Sequence, residues 1–486
     1  MTRHPVVRTL VYSHRWLGIA SGVLFGAWFM SGVVMIYAGM PELSAEERLA
    51  RLPAVDWAAF TVPPAQAIGA EAPARMVMGT SGGRPVYRLQ IGRAWRTVYA
   101  DSGDRLERLS SQEALALARH FAPEHRATAR HDARIDEPDQ WTFGVRALLP
   151  AHRIGLGDPD GTCVYVSEVS GEVVMKTTRA SRRWGYLGAV VHWVYFTPFR
   201  RHGTLWAETI IWVSIAGTLM AVAGLAWGVW RYSPSRRYRL KRRRSRSPYS
   251  GWMRWHHYAG LAFGLTTITW VFSGLLSMDP WSWSPSTAPT SAQRAAVAGG
   301  RPGFAGVSVD RIRMAAAALG DAREAEMAWF QGEPFLHSPS AIVSLRTPED
   351  GAMRALPREA VMAAARAAGG GAGIEEAVWL DAYDAYYYDR AGRLPLPVLR
   401  VRYRDPQHTW LYLDPSRGVI ARKEERLSRV NRWLYHGFHS LDFPWLYYQR
   451  PLWDIVLWGV SLGGLLLAAT SASAGWRRLR KRVYRF

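Results

Sequence analysis

Imidazoles at fixed spacings are the side chains of this sequence with the most chemistry to offer. His436 and His439 lie three positions apart in Trp433-Leu434-Tyr435-His436-Gly437-Phe438-His439-Ser440-Leu441-Asp442, so they share one helical face just before a long apolar run. His192 stands in a similar place earlier: it precedes Trp206 by 14 positions, as His439 precedes Trp453. His14 and His256 each open another apolar run, and each is followed 14 positions on by a tryptophan, Trp28 or Trp270. Neutral imidazoles among apolar and aromatic neighbours at a membrane entrance are candidate ligands for a metal or a metal-bearing cofactor. His257 and His436 adjoin these positions and would replace a neighbour as ligand, hydrogen-bond a cofactor carboxylate, or hold a third cofactor. His4, His120, His125, His131, His152, His337 and His408 share no such spacing.

The elements that must position these residues follow a repeat. At a constant offset of 247 from His192 to His439, Arg146 falls on Arg393, Leu149-Pro150 on Leu396-Pro397, Asp158-Pro159 on Asp405-Pro406 and Gly171 on Gly418. Counted from His14 and His256, Ser31-Gly32 in the first apolar run also matches Ser273-Gly274 in the third. So many coincident turn and anchor residues indicate two related halves.

Four apolar stretches are long enough to cross a hydrocarbon core, which takes about 20 residues. They are Trp16 to Met40, Leu205 to Trp230 (with Glu208 its one charge), Tyr258 to Met278, and Ile455 to Gly475. The net charge of +22 is concentrated beside them, in Arg3 and Arg8, in the run from Arg231 to Arg246, and in Arg477 to Arg485. The positive-inside rule then places both termini and the 231–254 loop in the cytoplasm, where anionic membrane lipids attract them; nucleic acid is not the expected partner. Cys163 is the only cysteine, which excludes an internal disulfide or a thiolate metal cluster. The first run is too long for a cleaved signal peptide and is expected to act as an uncleaved signal anchor.

The expected fold class is membrane α-helical, with four transmembrane helices in two repeated halves and an α+β domain on the outer side of each. The boundaries run 1–40 (N-terminus and first span), 41–183 (first outer domain), 184–230 (interfacial histidine helix and second span), 231–254 (basic loop) and 255–278 (third span). They continue with 279–430 (second outer domain), 431–475 (second histidine helix and fourth span) and 476–486 (basic tail). In the first outer domain, strands are expected over Pro85–Ile91, Ala94–Ala100, Trp141–Val145, Cys163–Ser167 and Val173–Lys176, with a helix capped by Ser110 or Ser111. In the second, 285–305 reads as a flexible connection, and a helix near Pro357–Ala368, the segments Tyr386–Tyr388 and Pro397–Tyr403, and a hairpin about Asp414–Gly418 restate the α+β unit. Gly18, Ser21, Gly22 and Gly26 would admit a close neighbouring helix or a flat cofactor. Glu208 and Asp454 would orient a ligand histidine or sit in headgroup water.

Two such halves about an axis along the membrane normal would set His14 opposite His256 and His192 opposite His439. Opposed neutral imidazoles are what a six-coordinate b-type haem requires, at about two per chain. Trp28 and Trp270 would pack against it. No Cys-x-x-Cys-His occurs, so covalent attachment is excluded.

With these residues placed, the chain resembles the PepSY-associated transmembrane helix family, which includes inner-membrane ferric-siderophore reductases. The likeness rests on His14-Arg15-Trp16-Leu17-Gly18, on the hairpin at Asp414-Pro415-Ser416-Arg417-Gly418, and on the His-Gly-Phe-His-Ser-Leu-Asp segment. It implies PepSY-like domains in the periplasm of a bacterium, bound b haems with iron held by His14, His256, His192 and His439, and reduction of a ferric siderophore. The first half reads Val191-His192-Trp193-Val194 and lacks the second histidine, which leaves His436 and His439 both open as ligands, as are His256 and His257. No Rossmann glycine motif appears, so the donor would be a quinol or a separate cytoplasmic reductase. Two other readings are a non-enzymatic anchor that binds or inhibits a periplasmic partner, and a siderophore or metal transporter; the spans lack the buried charge a transport site would need.

Overall fold

Apolar sequence of sufficient length becomes helix here because a bilayer offers the backbone no other hydrogen-bonding partner. The computed structural model describes residues 5–240, 243–390 and 392–483, so Arg3, His4, Lys241, Arg242 and Arg485 lie outside the described residues. Among the described residues, four helical stretches are long and apolar enough to cross a membrane: Pro5–Tyr37, Gly203–Arg231, Trp252–Leu276 and Leu452–Arg480. The chain forms two compact units, one of residues 1–40, 183–284 and 429–486, the other of residues 41–182 and 285–428.

In the first unit each span packs on two others, the first against the fourth and second, and the third against the second and fourth. Small residues set the spacing. A Cβ on Gly22 would sit 3.4 Å from the Ser471 hydroxyl, and one on Gly26 would sit 3.6 Å from Ala468. The small residues of the first span thus accommodate a neighbouring helix. Phe29 lies over Gly464, and Phe25, Phe29, Met220 and Val271 form the buried centre, with Trp28 and Trp270 beside them. Helix is present from Pro5, so His14 lies more than two turns inside it.

The second unit holds a six-stranded antiparallel sheet in the order 342–344, 333–337, 325–330, 75–81, 84–91, 94–99. Its middle pairing, Met76 with Met327 and Met78 with Ala325, joins the segment before the second span to the segment after the third. The segments expected as separate domains, 41–183 and 279–430, therefore share a sheet. Its core is common too: Met76, Met78, Tyr87, Leu89, Met327 and Leu336 pack with Ile312 and Ala315 of the helix Val309–Ala318. Edge strands that each segment would otherwise expose are paired by this junction.

Each segment also carries a four-stranded meander with a helix against it, strands 130–135, 151–155, 163–167 and 172–177 with Ser111–Phe121, and strands 374–380, 398–403, 410–414 and 419–424 with Arg358–Ala368. Three of the pairs that match at offset 247 share local geometry, whereas Arg146 lies in a 3-10 helix and Arg393 in irregular chain. Asp158 accepts from the Thr162 backbone N–H (2.6 Å) and hydroxyl (2.5 Å), and Asp405 accepts likewise from Thr409 (2.6 Å each). Leu149-Pro150 and Leu396-Pro397 are both cis, and Gly171 and Gly418 both have positive φ, 63° and 66°.

Two expectations fail for local reasons. Trp141–Val145 is not a strand: the Asp139 carboxylate accepts from the Trp141 and Thr142 N–H groups (2.9 and 3.0 Å), turning the chain into a 3-10 helix at Phe143–Leu148. The 285–305 connection contains a helix, Ser291–Ala298, opened by a capping box of Thr290 and Gln293 and anchored by buried Val297. The helix expected after Ser110 or Ser111 starts from a capping box of Ser110 and Glu113.

Burial alone would raise the Glu326 carboxyl, but Arg75 donates to it from Nε (2.9 Å) and Nη2 (2.7 Å) and holds it below the usual carboxylate range. A carboxylate lowered in this way stabilises the fold above its unfolded pKa of about 4.3 and loses that stabilisation as pH falls toward the folded value. Thermal unfolding of the purified chain should therefore show a midpoint that falls below about pH 4.5, with a smaller fall in Glu326→Gln. The pair is partly solvated, so its contribution at neutral pH should stay within about 1 kcal/mol. A Cβ at Gly418 would meet Leu356 at 2.9 Å on a left-handed backbone; Gly418→Ala should cost about 1–3 kcal/mol in denaturant unfolding.

Candidate functional site

His192 and His439 stand on helices that end abruptly. Tyr186–Val190 and Arg432–Gly437 are π-helical turns, each followed by a single helical turn carrying His192 or His439. Val194 and Leu441 then enter the left-handed region at φ 55° and 53°, which stops each helix. A stopped helix leaves carbonyls without partners. Trp206 Nε1 donates to the Trp193 carbonyl (3.0 Å), and Trp453 Nε1 donates to those of Ser440 (3.2 Å) and Leu441 (3.1 Å). The spacing of 14 between histidine and tryptophan thus has a physical cause: the indole closes the end of the histidine helix. Both indoles are buried, Trp453 to 1 % exposure, so they are not interfacial belt residues. Beneath the second segment, Arg432 and Asp442 form a buried ion pair at 3.4 Å.

His192 lies with its ring 5.9 Å from that of His439, centroid to centroid, and His14 lies 6.1 Å from His256. Both pairings expected from the repeat are therefore brought together within the four-span unit. Two imidazoles on one metal ion have centroids about 6 Å apart, since each contributes a bond of about 2 Å plus about 1 Å from nitrogen to ring centre.

The other ring nitrogens are occupied. His14 Nδ1 donates to the Met220 carbonyl (2.9 Å), His192 Nδ1 to that of Trp28 (3.2 Å) and His439 Nδ1 to that of Trp270 (3.2 Å). His256 Nδ1 donates to the Thr470 hydroxyl (3.0 Å), whose own proton goes to the Leu466 carbonyl (2.8 Å). Ser31 and Ser273 add hydroxyl contacts to His192 (3.3 Å) and His439 (3.0 Å). A carbonyl can only accept, so Nδ1 carries the proton and Nε2 keeps its lone pair. This is the arrangement of a ligating histidine whose outer nitrogen is held by a second partner. Glycines make room for the rings: a Cβ on Gly32 would meet His192 at 3.1 Å and one on Gly274 would meet His439 at 3.5 Å, while one on Gly224 would overlap His14.

The neighbours are used differently. His257 spends both nitrogens inside the protein, Nε2 donating to the Gly228 carbonyl (2.8 Å) and Nδ1 accepting from the Ser247 hydroxyl (2.8 Å). That leaves it no lone pair for a metal. His436 lies against the Tyr435 ring at 4.3 Å, and it is His439 whose ring meets that of His192. Asp454 accepts from Tyr37 (2.6 Å) and pairs with Arg450 (2.8 Å), and Glu208 is exposed; neither carboxylate orients a histidine. Trp28 packs on Phe25 and Trp270 on Phe29.

Sequence spacing also missed one cluster. His131 and His152 come from neighbouring strands and share a 2.9 Å bond, with His152 Nε2 3.0 Å from Glu168, which is also bound by Arg134. Among the described residues, no three of His, Cys, Asp and Glu gather as a metal site.

Removing one indole donor would leave buried carbonyls without their partner. Trp453→Phe should lower unfolding stability in detergent by about 1–2 kcal/mol, and Trp453→Ala by more because it also opens a cavity.

Comparison with known proteins agrees with this architecture. No curated protein matches the chain. A family model described as the PepSY-associated TM region matches residues 11–331, which take in three of the four spans and His14, His192 and His256. With more than half its length matched and its membrane helices in place, the chain belongs to the PepSY-associated TM region family.

Proposed function

We propose that the protein is a haem-b oxidoreductase of the bacterial inner membrane, which passes electrons across the bilayer to reduce a ferric siderophore in the periplasm. The observation that carries this reading is the pair geometry: two couples of histidines with rings about 6 Å apart, each ring held at Nδ1 by a carbonyl or a threonine hydroxyl. Two protein donors per site are few for a bare ion, whereas a porphyrin brings four nitrogens of its own. When bound, b haems at these pairs supply reversible one-electron chemistry.

The chain's own residues fix the tautomer, aim the rings and keep water out. Carbonyls of Met220, Trp28 and Trp270 and the Thr470 hydroxyl hold the four Nδ1 protons. Between the pairs, Phe25, Phe29, Met220 and Val271 fill the bundle. Residues 14 and 32, beside the two pairs on the first span, are separated by about 27 Å of helix rise, so the pairs serve opposite membrane faces.

Two related halves account for the recurrence of histidine, serine, glycine and tryptophan at matching positions. The positive-inside rule supports cytoplasmic termini and a cytoplasmic 231–254 loop, with residues 41–182 and 285–428 as PepSY-like periplasmic segments. A quinol or a separate cytoplasmic reductase would deliver electrons to the His14–His256 side. One electron then converts chelated Fe(III) to Fe(II), and the oxygen donors of a siderophore hold the softer ion more weakly.

Purified protein expressed with ample haem should show low-spin b-type absorption bands on dithionite reduction, at about two haems per chain. His439→Ala and His192→Ala should each remove about half of the haem, as should His14→Ala and His256→Ala, and one change from each pair should remove nearly all. His436→Ala should leave the haem content near the wild-type value. A well-folded but colourless wild-type protein would overturn the reading and favour the non-enzymatic anchor.

A further inference from the structure

The end of the bundle that carries the 231–251 connection has a cavity of about 980 Å³. It is lined by Arg236, Arg244, Arg246, Arg254, Tyr232 and Tyr258, together with Leu240 and Gly251. Arg236 comes from the turn after the second span, Arg244 from the hairpin of Tyr238–Leu240 and Arg243–Ser245, Arg246 from the residue that follows it, and Arg254 from the first turn of the third span. All four are exposed, and among the described residues no carboxylate pairs with them. Nor does the sequence offer them one nearby: there is no Asp or Glu in residues 1–41, 209–278 or 455–486. Four clustered cations with no carboxylate on any adjacent element repel one another unless an anion comes from outside the chain.

The cavity is built rather than a chance gathering of long side chains. His257 ties the connection to the second span, through Ser247 on one nitrogen and the Gly228 carbonyl on the other. Trp227 Nε1 donates to the Tyr249 hydroxyl (2.9 Å), and the Ser233 N–H to the Arg246 carbonyl (2.9 Å). The third span begins at Trp252 with Gly251, which lines the cavity, as its N-cap and with no side-chain cap, so the helix N-terminus lies beside this space.

We infer that this cavity is a binding site for a phosphodiester headgroup, and that its source is an anionic phospholipid of the surrounding leaflet. Planar guanidiniums match phosphate oxygens in pairs, and two tyrosines and a leucine provide the less polar wall that a lipid's glycerol and upper chains would meet. The position of the cavity between two membrane spans sets it at headgroup depth. The inference is independent of the haem reading, and it gives His257 a role as the positioning residue of the cavity.

The test uses the full chain, delipidated in a neutral detergent, with bound lipid counted by native mass spectrometry and stability followed by thermal unfolding. Dioleoylphosphatidylglycerol, dioleoylphosphatidylcholine, inorganic phosphate and ADP are titrated in parallel. Phosphatidylglycerol should be retained as a discrete adduct and raise the midpoint, with phosphatidylcholine at least tenfold weaker. The variant R236Q/R244Q/R246Q/R254Q should bind at least tenfold more weakly, while the control R8Q/R239Q/R477Q/R478Q, which removes the same charge elsewhere, should change binding less than threefold. Equal loss in both variants would reduce the effect to diffuse charge and overturn the site. Phosphate or ADP that binds as well and displaces the lipid would overturn the lipid source and assign a soluble phosphate ligand. Should the fourfold variant not fold, R254Q alone and the choice between the two lipids in wild type decide; equal binding of the two lipids overturns the inference.

Discussion

An imidazole buried in a dry helical bundle must give its N–H to something, and most of this architecture follows from where those protons go. Each of the four paired histidines donates Nδ1–H across an interface, to a backbone carbonyl or to a threonine whose hydroxyl is already committed. The bonds require interhelical distances that only small residues permit, hence Gly32 and Gly274 against the outer rings and Gly224 against His14. They also require carbonyls with capacity to spare. Helical carbonyls retain a second lone pair, and that is what Met220, Trp28 and Trp270 offer. No carboxylate is used, which suits a bilayer, where an extra charge would be costly.

The outer histidine segments show how irregular backbone can be held in place. A π-turn, one helical turn and a non-glycine residue in the left-handed region would each be unfavourable alone. They persist because a buried indole from the following span closes the end, at Trp206 in one segment and Trp453 in the other. The same device aims the imidazole into the bundle. Structure at these segments is thus set by tertiary contact, not by local preference.

Charge is distributed with equal economy. The extramembrane unit pairs its arginines with carboxylates, as at Arg48 with Glu324 and Arg75 with Glu326, and buries Arg88 on the Ser170 and Thr80 carbonyls. The side that carries the 231–254 connection has arginines and no acid at all. Such an asymmetry orients a membrane protein, and it also leaves cations that can only be neutralised by what surrounds the chain.

Residue types and spacing were enough to locate the four spans, because burial in lipid demands about 20 apolar residues whatever the fold. They were also enough to match His14 with His256 and His192 with His439, whose rings meet in the structure. They marked Asp158, Asp405, Gly171 and Gly418 as turn residues, whose roles depend on neighbours a few positions away. What they left undecided needed partners distant in sequence. Whether His256 or His257 faces His14 depends on Ser247 and Gly228 taking both nitrogens of His257, and the union of residues 41–182 and 285–428 in one sheet depends on Met76 meeting Met327. Periodicity reports which face of an element is buried; only tertiary structure decides what that face is buried against.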